Sequence, residues 1–194
     1  MIASIEFVQL SKDSIIAASL EILNTFGLAD MTMRRVATQL QVAPGALYWH
    51  FKNKQALIDA TARTILADFL DAGATLGHEN LTAACMHMRL SMLEHRDGAE
   101  LVSAALTNSQ LRTEVLEVFA ATLPESAPAA GVATALHFVV GATVFEQTEY
   151  LRIAAEPQVG AIETEENPLV QAQLAAEEQF AMGLRIITTG LAHI

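Results

Sequence analysis

Apolar positions recur at three- and four-residue spacings along most of the chain, the repeat expected of a buried helix face. Between Ser11 and about Phe26 they are Ile15, Ile16, Leu20, Leu23 and Phe26, with Ser11 placed to cap the start and Gly27 to end the helix. Thr32 caps a second helix that turns Val36, Ala37 and Leu40 inward. Gln41, Val42 and Ala43 make a turn, and Pro44 opens a third helix, where its missing N–H costs nothing. Leu47 and Phe51, four residues apart, face inward from that helix. Asn53 caps a fourth, predicted over residues 54–71.

The helical pattern continues to the C-terminus. Thr82–Glu94 is amphipathic with Met86, Leu90 and Leu93 as its apolar stripe, and two shorter helices follow at 98–105 and 110–123. Residues 124–128, which hold two prolines, form a break. A long apolar helix is expected over 129–153, with Ala135, Phe138, Val139, Ala142 and Phe145 on one face. Residues 156–168 read as a solvated loop, and a last helix over 169–190 carries Leu174, Phe180, Leu184 and Ile187.

Composition agrees with an all-α protein: 52% of the 194 residues are apolar, while glycine (10) and proline (5) are sparse. The single cysteine, Cys85, excludes an intrachain disulfide framework, suits a cytoplasmic setting, and lies in an apolar run that predicts burial. The first residues carry no basic segment before an apolar stretch, so no signal peptide is read. No uninterrupted apolar run approaches the roughly 18 residues of a membrane span. No nucleophile–base–acid set, glycine-rich phosphate loop or metal motif appears, so neither an enzyme nor a cofactor is expected.

Charge changes the picture more. The chain carries a formal net charge of -11, yet residues 32–54 hold Arg34, Arg35, Lys52 and Lys54 with no acidic residue among them. Phosphate contact depends on the local surface within about 8–10 Å, not on the net charge. A cationic helix–turn–helix pattern on an acidic protein points to the DNA backbone.

The segment LSKDSIIAASLEILNTFGLADMTMRRVATQLQVAPGALYWHFKNKQALIDA resembles the TetR family of bacterial transcription regulators, and LYWHFKNKQALID looks like its tetracycline-repressor-like subtype. HRDGAELV (95–102) and HFVVGATVFEQTEY (137–150) are similar to core segments of that subtype. The resemblance implies a ligand-responsive homodimeric repressor that binds a palindromic operator. A three-helix DNA-binding head spans residues 1–52, and a larger helical part, 53–194, binds effector and dimerises.

It places Arg34 at a guanine edge and Tyr48 on a phosphate. From the residues themselves, Thr32 and Lys54 sit at helix N-termini that suit phosphate, and Arg35 reads as a phosphate or surface residue. Gly45 and Ala46 allow close approach to base edges or thymine methyl groups, and Trp49 and His50 read equally as packing on the backbone or the connecting helix or as solvent-facing. The positions that hold drug and Mg²⁺ in tetracycline repressors fall near Leu70, Ala84, Met88, Val102 and Leu106, which carry no metal ligands. The resemblance therefore implies a metal-free, lipophilic effector, with Phe138 and Glu146 on the long helix as further pocket candidates. Glu146 and Glu149 read equally as pocket, interface or solvated groups, and either is a candidate counter-charge for a cationic effector. His87, His95 and His137 are too far apart for a metal pair and read as structural. A rival reading is a drug-sequestering protein with a vestigial DNA-binding head.

Overall fold

The first three helices owe their boundaries to local hydrogen bonding. A computed structural model describes residues 10–72, 81–124, 126–156 and 167–193, and all regular structure among them is helical. Helix α1 (Lys12–Phe26) opens on a reciprocal cap: the Ser11 hydroxyl accepts the Ser14 N–H, and the Ser14 hydroxyl accepts the Ser11 N–H. Gly27 ends it with φ +89°, a left-handed value that favours glycine. After a 3₁₀ turn (Leu28–Asp30), the Thr32 side chain accepts the Arg35 N–H and starts α2 (Met33–Gln39).

Gln41, at φ +55°, turns the chain into α3 (Pro44–Leu47), which is shorter than the sequence pattern predicts. Tyr48–His50 continue it only as turns, which still bring Leu47 and Phe51 into the core. Asn53 caps α4 (Lys54–Ile65) by accepting the Ala56 N–H at 2.8 Å.

The helix expected over 54–71 breaks at Leu66, and α5 (Ala67–Ala72) follows. Both Leu66 and Phe69 are fully buried, and the Phe69 ring packs 5.5 Å from Phe119 with the edge of His87 at 6.0 Å. Beyond lie α6 (Leu81–Leu93), α7 (Gly98–Ala105), α8 (Ser109–Ala121), α9 (Ala129–Ala154) and α10 (Pro168–Leu191). The loop expected at 156–168 falls largely outside the described residues.

Buried apolar side chains form one continuous cluster from Ile15 in α1 to Leu184 in α10. Helix α9 runs through its centre, touching α6, α7, α8 and α10, while α4 packs against α1 and α7. The α9–α10 crossing depends on Gly183, where a Cβ would stand 2.3 Å from the Phe138 ring.

Two expected faces are corrected. On α6 the buried stripe is Leu81, Ala84, Cys85, Met88 and Met92, whereas Leu90 is half exposed and Met86 and Leu93 are partly buried. On α10 only Phe180 and Leu184 are buried, and Leu174 and Ile186 face outward. Helix α9 is long and apolar enough to cross a membrane by length and composition, and only 33% of its most apolar window is buried within one chain. Its exposed Phe145 and the outward α10 residues Met182 and Ile186 leave apolar surface uncovered.

Candidate nucleic-acid interface and core cavity

The helix–turn–helix presents a surface of mixed chemistry. Thr32, Arg34, Gly45, Tyr48, Trp49, Lys52 and Lys54 are exposed, and Ala46 and His50 are half-buried. Trp49 is 91% exposed and Tyr48 53%, although both rings would gain from burial. Arg34, Lys52 and Lys54 make no ion pair with the described residues. Their charge is therefore uncompensated, the condition for releasing counterions from a polyanion.

Arg35 differs. Its guanidinium pairs with Asp30 and lies 3.8 Å over the Phe26 ring centroid, with the Arg35 side chain 37% exposed. These contacts tie α2 to the 3₁₀ turn and the end of α1.

A cavity of about 1300 Å³ lies among the C-terminal end of α6, the α6–α7 turn, α9 and the first half of α10. Phe138 and Glu146 line it. The other pocket candidates lie elsewhere. Ala84, Met88 and Val102 are fully buried in close-packed core, Leu106 packs partly buried against it, and Leu70 borders a separate surface hollow between Arg63 and Glu117.

The cavity wall holds an ion pair that sequence reasoning missed. Arg89 Nε and Nη2 donate to the two Glu146 carboxylate oxygens at 2.9 and 2.6 Å, with side chains only 3% and 12% exposed. The guanidinium also lies 5.0 Å over Phe180, which in turn packs 5.1 Å from Phe138. The available signal was one arginine and one glutamate on otherwise apolar helices, an arrangement that needs a partner. Glu149 is paired with Arg152, whose hydrogen bond holds its carboxyl below the usual range.

Polar contacts connect this wall to the head. Gln147 on α9 donates to the Met92 and His95 carbonyls and accepts the Ala99 N–H, fixing the α6–α7 turn. Asp97 in that turn, at φ +53°, accepts the Leu28 N–H at 2.8 Å. Arg96 donates to the Thr25 carbonyl at 3.0 Å, and the His95 ring meets the Asn24 side chain at 3.2 Å. Gly27 makes this seam sterically feasible, since a Cβ there would stand 2.6 Å from the Asp97 carboxylate.

Burial lowers the His95 pKa from its ordinary 6.5, outweighing an opposing pull from Glu94. The unfolded chain therefore binds a proton that the folded chain resists. The contribution of this contact to stability is complete above pH 6.5 and declines as pH falls below it. Thermal melts should show a lower midpoint at pH 5.5 than at pH 7.5, with His95→Gln flattening the difference. An equal slope in that variant would assign the pH dependence to other groups.

Burial pushes the Cys85 thiol up to about 12, leaving it as packing. His137 is exposed. Among the described residues no three His, Cys, Asp or Glu side chains gather as a metal site.

Residues 15–61 match the family described as bacterial regulatory proteins, tetR family. The chain is 31% identical over 200 residues to the tetracycline repressor protein class A from transposon 1721 of Escherichia coli, covering 95% of this chain and 91% of that protein. It superposes on Mycobacterium smegmatis BioQ with a TM-score of 0.74 and 34% identity, covering 95% of this chain and 99% of that one. Against BioQ bound to its natural double-stranded DNA operator the TM-score is 0.70, with 33% identity over 95% and 99% of the two chains. Against class A TetR in complex with 5a,6-anhydrotetracycline and magnesium it is 0.66, with 28% identity over 95% and 99%.

Proposed function

The chain belongs to the TetR family of bacterial regulatory proteins, and from that premise we infer how its two sites act together. It is a ligand-responsive transcriptional repressor that works on operator DNA as a homodimer, and it is not an enzyme. The sequestering alternative is not favoured. We assign residues 1–52 to DNA binding and 53–194 to effector binding and dimerisation, in a cytoplasmic protein.

The observation that carries the DNA assignment is the uncompensated charge of Arg34, Lys52 and Lys54 beside the exposed Tyr48 and Trp49. Arg34 suits a guanine edge, since its planar fork matches O6 and N7. Tyr48, Thr32 and Lys54 suit phosphates, while Gly45 and Ala46 let the backbone approach base edges. Trp49 and His50 complete the surface, whereas Arg35 supports it from behind.

The effector enters the cavity of α6, α9 and α10 and is lipophilic and metal-free. Operator release follows because the cavity wall and the head share the α6–α7 turn. An effector acts only through a difference in affinity between DNA-competent and DNA-incompetent head positions. Fluorescence anisotropy of the operator complex tests this, titrating tetracycline and apolar compounds with and without Mg²⁺. Release only by tetracycline with Mg²⁺ would overturn the metal-free reading.

Asp97→Ala removes the acceptor of the Leu28 N–H. Operator binding should survive, while the effector concentration for half-release should rise at least fivefold beyond any change in cavity affinity, a coupling loss of about 1 kcal/mol or more. Unaltered release would show that the signal travels elsewhere, through α4 for example.

The uncovered faces of α9 and α10 form the dimer interface, as apolar long helices pairing with their symmetry mates. Ile186 is 67% exposed in one chain, so a charge there costs nothing in a monomer. Ile186→Asp should weaken dimerisation roughly a hundredfold or more, because the dimer would bury the charge twice. Light scattering reads this directly, and a variant that stays dimeric at nanomolar concentration moves the interface elsewhere.

A further inference from the structure

We propose that the cavity takes a lipophilic cation, seated on its aromatic side chains with the charge toward Glu146. This rests on the repressor reading, because it names the chemistry of that repressor's effector. Phe138 and Tyr150 line the space beside Phe180, whose ring already carries the Arg89 guanidinium, and ring faces attract cations within about 6 Å of their centroids.

The charge of the wall points the same way. Five carboxylates line the cavity against two engaged guanidinium groups, and with Arg152, which neutralises Glu149 from beside the lining, a net negative charge of two remains. Arg89 is held by Glu146 and lies over Phe180, and Arg96 donates to the Thr25 carbonyl. His95, with its pKa lowered by burial, adds little positive charge near neutral pH.

Three of the carboxylates are more open. Glu146 is four times as exposed as Arg89, 12% against 3%, and each of its oxygens accepts one bond from Arg89 and keeps a further lone pair. Glu94 and Glu177 make no ion pair with the described residues. An anion would enter a negative field and find no unengaged cation. A neutral ligand would gain from area alone, whereas a cation gains from area, ring faces and field together.

Three naphthalene probes of one shape test this on the full-length dimer: (2-naphthylmethyl)trimethylammonium, 2-naphthalenemethanol and 2-naphthoate. Isothermal titration calorimetry should rank the cation first, at least tenfold tighter than the carboxylate. Glu146→Gln keeps the side-chain volume and an acceptor for Arg89. It should weaken the cation about tenfold and change the alcohol less than twofold. A carboxylate that binds as well as the cation overturns the inference, as does a Glu146→Gln protein that holds the cation unchanged. The ranking on the unaltered chain decides the matter even if the variant misfolds.

Operator anisotropy with the same probes separates the two readings. A cation that saturates the cavity without releasing DNA overturns the effector role and leaves the cavity chemistry standing. Release by all three probes without charge preference does the reverse. Absence of binding by any probe to millimolar concentration overturns both.

Discussion

Arg89→Met is expected to lower the thermal midpoint by about 10 °C, far more than the loss of a surface charge would. Breaking a buried pair by removing one partner costs about 3–5 kcal/mol, because the remaining charge is stranded away from water. In a chain of this size each kcal/mol moves the midpoint by about 2–4 °C. Here the stranded group is Glu146, whose side chain is only 12% exposed and whose two oxygens would each lose a charged hydrogen bond from Arg89.

The double change Arg89→Met with Glu146→Leu removes both charges and keeps comparable volume. It should recover most of the loss, since an apolar replacement of a buried pair is often neutral or stabilising. Recovery with loss of effector response would mean the pair serves the ligand more than the fold. A single variant as stable as the parent would show that water reaches Glu146 freely and that the pair belongs to the surface.

This pair also marks the limit of what the sequence discloses. The caps at Ser11, Thr32 and Asn53 and the stop at Gly27 were legible because each is a local hydrogen-bond problem with few solutions. The DNA-facing charge was legible because Arg34, Lys52 and Lys54 stand in a stretch free of acids. Only the fold reveals that Asp30, just outside that stretch, turns back to take Arg35.

Helix faces were harder. Helix α6 carries apolar residues all round, so periodicity does not choose between the Met88 stripe and the Leu90 stripe, and tertiary packing chose the former. The outward apolar residues of α10 misled for a related reason, since an interface face reads like a core face. The cavity was the least legible, because it is the space that α6, α9 and α10 leave between them. Ala84, Met88 and Val102 lie at suitable spacing from a motif, yet they are fully buried and do not line it.

The charge on the head leads to the largest expected change in function. Arg34→Ala with Lys54→Ala should nearly abolish specific operator binding while leaving fold and dimer intact, since both side chains are exposed and unpaired among the described residues. An arginine–guanine contact discriminates by about 1–3 kcal/mol, and a dimer makes it in two half-sites, giving about 2–6 kcal/mol in all. That is a loss of roughly 30-fold to more than 10⁴-fold before Lys54 is counted. Lys54→Ala alone should weaken all sequences alike and lower the salt dependence by about one phosphate per subunit. Arg34→Ala alone should relax preference at one base pair per half-site. Arg35→Ala, by contrast, should act through the stability of the head, because its charge belongs to Asp30 and its plane to Phe26. Anisotropy between about 50 and 200 mM salt, on the operator and on single-base variants, separates these terms. If Arg34→Ala lowers affinity equally on every base variant, the arginine holds a phosphate, and sequence is read instead through the backbone approach at Gly45 and Ala46 and the shape of the DNA.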